Sequence, residues 1–179
     1  MPDRFVVCNT SPLLYLHQVN QLDLFPRLYG KVSIPEAVRV ELQAGEELGI
    51  SIPHVDALPW LHVEAAPQRV AWAIVPDLGA GEAEAISLAL SALPSLVILD
   101  DALGRRIARL NGLTCIGTLG ILLKAKQSGA LPLVAPVLRR SLSSSRPVIC
   151  GICQSASTSW IACLAMTLRA SRPLLAAWV

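Results

Sequence analysis

Val97-Ile98-Leu99 runs directly into Asp100-Asp101, and Gly104-Arg105-Arg106 follows. An apolar run this short and partly β-branched is a buried strand. A strand ending in carboxylates presents them at the carboxyl edge of its sheet, where open parallel α/β sheets build their sites. This stretch therefore constrains the fold first: whatever the chain does at that edge, it does with Asp100 or Asp101.

The same pattern recurs along the chain. Phe5-Val6-Val7-Cys8 predicts a strand that stops at Asn9-Thr10-Ser11-Pro12, a helix start with a Thr or Ser cap and an early proline. Further short strands are expected over 31–34, around Trp60-Leu61-His62-Val63, and over 113–116, the last stopping at Gly117-Thr118. Between them fall helical patterns: an apolar one after Pro12, then 21–28, 36–44 with a stop at Gly45, 82–93, 102–110, 119–127 with a stop at Gly129, and 131–140. Strands alternating with helices predict an α/β fold, a three-layer α/β/α sandwich around a central, mostly parallel sheet. One such domain fills residues 1–140.

Composition sharpens this picture. Hydrophobic residues make up 53% of the 179 and charged residues only 16%, against about 25% in an ordinary soluble domain. The net charge of +2 conceals a split: thirteen acids and five Lys or Arg leave residues 1–101 at −8, while ten Lys or Arg and no acid leave 102–179 at +10. Such a division fits a polyanion partner or a cation beside a phosphate, and equally a fold that intermixes its halves. Five cysteines, an odd number, and no visible signal peptide argue against a disulfide scaffold and for a cytoplasmic setting. Cys150-Gly151-Ile152-Cys153 stands alone as a C-x-x-C, and His17, His54 and His62 lack metal-ligand spacing. No Gly-x-Gly-x-x-Gly follows the first strand, which argues against a dinucleotide-binding domain.

Residues 141–179 differ from the rest. They hold three of the five Cys, two of the four Trp, many Ser, and no charge but Arg. Arg146 and Arg169 bracket 22 uncharged residues, but Gln154 and a Ser/Thr cluster interrupt them, so no membrane association is expected. The tail reads as atypical, either disordered or frame-shifted.

Helical faces sort the remaining acids. Glu41 aligns with Ala37, Val38 and Ala44, the apolar side of its helix, where a carboxylate is costly without a partner. Glu82 aligns with Ala85, Ile86, Ala89 and Leu93, whereas Glu84 aligns with Ser87 and Ser91 on the polar side. Two helical positions differ by about 200°, so Glu82 and Glu84 cannot share a site. Asp101 suits a helix N-cap. What converges is Asn9, Glu41, Glu82 and Asp100, with Thr118 after the next strand. Hard oxygen donors without His or Cys suit Mg²⁺ or Mn²⁺, and a cation among carboxylates is the usual chemistry of phosphodiester hydrolysis.

These residues resemble the PIN-domain nucleases. The resemblance rests on Val6-Val7-Cys8-Asn9-Thr10-Ser11-Pro12-Leu13-Leu14, Ile34-Pro35-Glu36-Ala37-Val38 with Glu41-Leu42, Gly81-Glu82-Ala83-Glu84-Ala85, Leu99-Asp100-Asp101 with Gly104-Arg105, and Ile116-Gly117-Thr118-Leu119-Gly120. It covers about residues 4–140. It is nearest to the branch of small prokaryotic nucleic-acid-binding proteins related to VapC-type toxins.

The resemblance implies a Rossmann-like fold and a Mg²⁺- or Mn²⁺-dependent endoribonuclease, the toxin of a toxin-antitoxin pair. Its partners would be single-stranded or structured RNA, a small antitoxin protein and a second copy of the chain. Asn9, Glu41, Glu82 and Asp100 would be the catalytic and metal-binding residues, and Thr118 a further metal ligand. Thr10, Ser11, Arg105, Arg106, Arg109 and Lys124 would contact nucleic acid; Arg105 and Arg109 share a helix face. Asn9 departs from the aspartate usual there: an amide oxygen still coordinates, but the site carries one negative charge fewer. The alternative is a catalytically weak or inactive PIN-like module that binds nucleic acid or a partner protein.

Overall fold

The computed structural model describes residues 4–67 and 78–137. The elements run β1 (Phe5–Cys8), α1 (Thr10–Gln18), α2 (Leu24–Tyr29), β2 (Val32–Pro35), α3 (Glu36–Glu47), a 3-10 turn (Val55–Ala57), β3 (Leu61–Glu64), α4 (Ala80–Ser91), β4 (Ser95–Ile98), α5 (Ala102–Leu110), β5 (Thr114–Ile116) and α6 (Thr118–Gln127). The five strands form one sheet in the order β3-β2-β1-β4-β5, every neighbouring pair parallel.

Both faces of the sheet are covered, which explains why its strands read as continuous apolar runs. Successive residues of a strand point to opposite faces. Val6, Cys8, Leu96 and Ile98 enter one core, shared with Leu13 and Leu16 of α1, Leu24 and Phe25 of α2, Val38 and Leu42 of α3 and Ile121 and Leu122 of α6. Val7, Val97 and Leu99 enter the other, shared with Ala85, Ile86 and Ala89 of α4 and Ile107 and Ala108 of α5. The result is the expected three-layer α/β/α sandwich.

Several helix ends differ from the sequence reading: α2 starts at Leu24 rather than 21, α4 stops at Ser91 rather than 93, and two further ends bear on the site. Gly45 does not end α3. It is buried on the inner stripe with Val38 and Leu42, and the helix stops only before Gly49, whose φ of 74° places it in the left-handed region. Helix α4 begins at Ala80, two residues earlier than expected, so Gly81 lies inside its first turn. Of the helix expected over 131–140, residues 131–134 are not helical, helical backbone starts at 135, and the remainder lies outside the described residues. The domain boundary at 140, the tail from 141 and the bracketed apolar run lie outside them as well. No helix among the described residues is long and apolar enough to cross a membrane.

The topology creates one crevice. β1 is central, with β2 on one side and β4 on the other. The chain leaves β1 through α1 over one face and leaves β4 through α5 over the opposite face. Connections diverging in this way open a gap between the carboxyl ends of the two strands. Cys8 pairs with Ile98, so the gap lies between Asn9 and Asp100.

Candidate metal centre

Asn9 is fixed at both ends. Its backbone N–H donates to Ile98 O at 3.0 Å, extending the β1–β4 ladder one residue past the strand. It occupies the N-cap position of α1, yet its side chain does not cap that helix. The amide instead turns toward α4, where Nδ2 donates to Glu82 Oε1 at 2.8 Å. Asn9 is 1% exposed, and its Oδ1 has no hydrogen-bond partner. Buried polar atoms almost always have a partner, so this acceptor marks a position for something else.

Glu41 and Glu82 come from two helices packed together. The buried stripe Val38, Leu42 and Gly45 turns the Glu41 face of α3 inward. There the Thr10 hydroxyl donates to Glu41 Oε2, and the Gly81 N–H donates to Oε1 at 3.0 Å. Glu82 lies in the first turn of α4 and is 8% exposed. Burial pushes its carboxyl above the usual range, with the Glu41 charge adding to this; its own backbone N–H and the Asn9 amide pull the other way.

Gly81 is the position that the Glu41 carboxylate and the Asn9 amide oxygen approach. A Cβ there would lie 2.7 and 2.8 Å from the two Glu41 carboxylate oxygens and 2.9 Å from Asn9 Oδ1. Three oxygens, one of them unpartnered, thus face a space too tight to admit a carbon atom without a shift. Oxygen donors with excess negative charge suit a hard divalent cation, so this donor set fits Mg²⁺ or Mn²⁺. Among the described residues no three His, Cys, Asp or Glu side chains form a metal-holding group. At Gly81 the donors are the Glu41 carboxylate and the Asn9 amide oxygen, with the Glu82 carboxylate bonded to the other end of that amide.

Asp100, across the crevice, is arranged differently. The Thr118 N–H donates to Oδ1 at 2.8 Å and the Thr118 hydroxyl to Oδ2 at 2.5 Å. Thr118 opens α6, so Asp100 also meets the positive end of a helix. Burial pushes the Asp100 carboxyl up, while both Thr118 bonds and the Arg105 charge hold it down. Arg105 is half-buried, and its Nη1 would lie 3.3 Å from a Cβ on Gly117, with Asp100 Oδ1 2.8 Å from the same point. Cys8, fully buried beneath, has its thiol pushed well up by burial and by the Asp100 charge, so it is a core residue and no nucleophile.

The crevice therefore gathers Asn9, Glu41, Glu82, Asp100, Thr118 and Arg105. The other residues expected to contact nucleic acid take different positions. Thr10 and Ser11 are 2% and 5% exposed, so Thr10 holds Glu41 and neither hydroxyl is open to a polymer. Arg109 is exposed one turn beyond Arg105, with its charge beside Cys115 within β5. Sharing a helix face does not mean sharing an end, since i and i+4 differ by about 6 Å along the axis. Arg106 is exposed on the outer side of α5. Lys124 lies late in α6, its Nζ 4.3 Å from the centre of the Tyr29 ring and its charge beside Arg4, which precedes β1; that is the amino edge of the sheet.

Asp101 caps α5 as its position predicts, accepting from Gly104 N at 2.7 Å. The histidines stand apart: His17 Nε2 is 3.1 Å from Ser51 Oγ, His54 is exposed, 3.9 Å from Glu46, and His62 is exposed on β3. Glu84 departs from its expected outward place. It is partly buried and accepts from Ala37 N at 3.0 Å, anchoring the first turn of the helix that carries Glu41. Glu84 and Gly81 are the contributors that sequence reasoning missed. Gly81 carries a detectable sign, since a glycine among alanines in a first helical turn implies close approach by another group.

Comparison with curated proteins gives no match. Among solved structures the chain is similar to a PilT N-terminus domain protein, SSO1118, from the hyperthermophilic archaeon Sulfolobus solfataricus P2. The identity is 21%, the match covers 68% of this chain and 92% of that one, and the TM-score is 0.49. The model of the family DUF3368, described as a PIN domain, matches residues 5–146. PIN domains are in general nucleases that act on nucleic acid and depend on divalent metal. With the family model covering most of the chain and every strand of the sheet, this protein belongs to the PIN-domain family.

Proposed function

We propose that the chain is a metal-dependent endoribonuclease of PIN type, serving as the toxin of a toxin-antitoxin pair. The observation that carries this reading is the unpartnered Asn9 Oδ1 facing the same small space beside Gly81 as both Glu41 oxygens. Asn9, Glu41 and Glu82 would hold Mg²⁺ or Mn²⁺, with Asp100 and Thr118 across the crevice. When bound, the cation supplies charge neutralisation at the scissile phosphate and activation of water. The chain's own residues do the rest. Thr10 and the Gly81 N–H orient Glu41, Asn9 orients Glu82, Thr118 fixes Asp100, and Arg105 meets a phosphate entering past Gly117. The partners that accompany this reading are RNA, a small antitoxin protein and a second copy of the chain.

The test is RNA cleavage in Mn²⁺ by the wild type and by Gly81→Ala. Alanine is favoured over glycine within a helix by about 1 kcal/mol, but its methyl would lie 2.7 to 2.9 Å from the Glu41 and Asn9 oxygens, so those side-chain ends must move, and a thermal melt of the variant checks that the fold is kept. Loss of cleavage and of Mn²⁺ binding is expected. Unchanged cleavage would remove this site from consideration.

A second reading is favoured by one observation: Asp100 has both oxygens engaged by Thr118 and a cationic neighbour in Arg105. On that reading the domain binds RNA without turnover. Salt-dependent RNA binding with no cleavage in Mn²⁺ would select it.

A further inference from the structure

We infer that Asn9 is a built-in tether. Its amide nitrogen holds the Glu82 carboxylate in the crevice, so that Glu82 is in place before any cation binds. The inference deepens the reading of the crevice as a cation site and rests on it only for what the placed carboxylate is for.

Asn9 and Glu82 are 73 positions apart in the chain, and their bond is buried. A carboxylate only accepts hydrogen bonds, so the amide nitrogen must be the end facing Glu82. That requirement turns Oδ1 the other way, into the space beside Gly81 that the Glu41 oxygens share. A single side chain thus donates to one acid and offers an acceptor beside the other, and its backbone N–H is locked to Ile98. An aspartate here would set a carboxylate against Glu82 at hydrogen-bond distance, with the Glu41 charge close by. Such a cluster needs a cation or a shared proton to stay together. The neutral amide removes that need at the cost of one negative charge.

The experiment is thermal unfolding of the full chain at pH 8, in EDTA and in excess Mn²⁺. Asn9→Asp is expected to lower the metal-free Tm by about 5 °C or more and to enlarge the rise produced by Mn²⁺. The Asn9→Asp/Glu82→Gln double variant, in which amide and carboxylate exchange places, is expected to regain the wild-type metal-free Tm. Asn9→Ala is expected to lose stability, of which Glu82→Gln recovers only part because no hydrogen bond is regained. If Asn9→Asp does not fold in EDTA, folding of the double variant makes the same comparison. A metal-free Tm for Asn9→Asp at or above wild type, or no recovery in the double variant, overturns the tether. A wild type indifferent to Mn²⁺ with the metal-free pattern intact overturns the cation reading and leaves the tether standing.

Discussion

The crevice has two walls, and they balance charge differently. On the α3–α4 wall, Glu41 and Glu82 stand together with an amide, and the Arg–carboxylate pairs seen among the described residues, Asp23–Arg27 and Glu36–Arg39, lie elsewhere. On the β4–α6 wall, Asp100 stands alone with Thr118, the start of α6 and the Arg105 charge. The first wall carries surplus negative charge and an unused acceptor; the second is nearly balanced. If the crevice takes a cation and a phosphate as proposed, this difference would direct the cation to the first wall and the phosphate to the second. That would divide the labour within what the sequence presents as a single acidic set.

The division can be broken most sharply at Glu41. Glu41→Gln can keep both hydrogen bonds, its carbonyl accepting from Gly81 and its amide donating to Thr10, but it halves the formal charge of the first wall. Mn²⁺ affinity, read by calorimetry, should fall by more than about 100-fold, while Asp100→Asn should lower it far less. Equal losses would mean that the walls act as one centre.

Thr118→Val tests the second wall. Losing the hydroxyl bond to a buried carboxylate should cost about 2 kcal/mol of stability by denaturant unfolding, with a much smaller change in Mn²⁺ affinity.

The pH dependence has a definite sign. Glu82 and Asp100 bind protons more tightly in the folded state than their ordinary values of 4.5 and 3.8, so the metal-free protein should gain stability as pH falls through their raised folded values toward those ordinary values, and lose it as pH rises. Melting curves in EDTA between about pH 4 and pH 8 should show this slope, and Glu82→Gln should flatten it. Saturating Mn²⁺ should stabilise most at the alkaline end.

The smallest effect is expected at Arg105. Arg105→Ala should weaken RNA binding similarly across sequences and lower the salt slope by about one. Arg109→Ala and Lys124→Ala should leave cleavage unchanged, because neither side chain stands at the crevice.

Much of this was legible beforehand where local chemistry decides. The strand ending at Asp100, the cap at Asp101 and the inward faces of Glu41 and Glu82 follow from apolar periodicity and capping, which act over a few residues. The surface contacts were less legible. Helical spacing correctly put Arg105 and Arg109 on one face, but only the direction of α5 decides which end meets the sheet edge. Glu84 was misread because α3 packs against α4, so its polar face is a helix–helix contact rather than a solvated one.

The sequence by itself determined the layered parallel sheet, and apolar periodicity placed Asn9 and Asp100 just past buried strands and Glu41 and Glu82 on inward helix faces. Only the tertiary structure decided how those four divide. Which oxygen of Glu41 meets Gly81, that the Asn9 amide turns its nitrogen to Glu82, and that Thr118 occupies both oxygens of Asp100 depend on distances between residues 18 to 73 positions apart. Hydrogen bonds are directional and short-ranged, so their pairing is fixed by packing, and no periodicity along the chain encodes it.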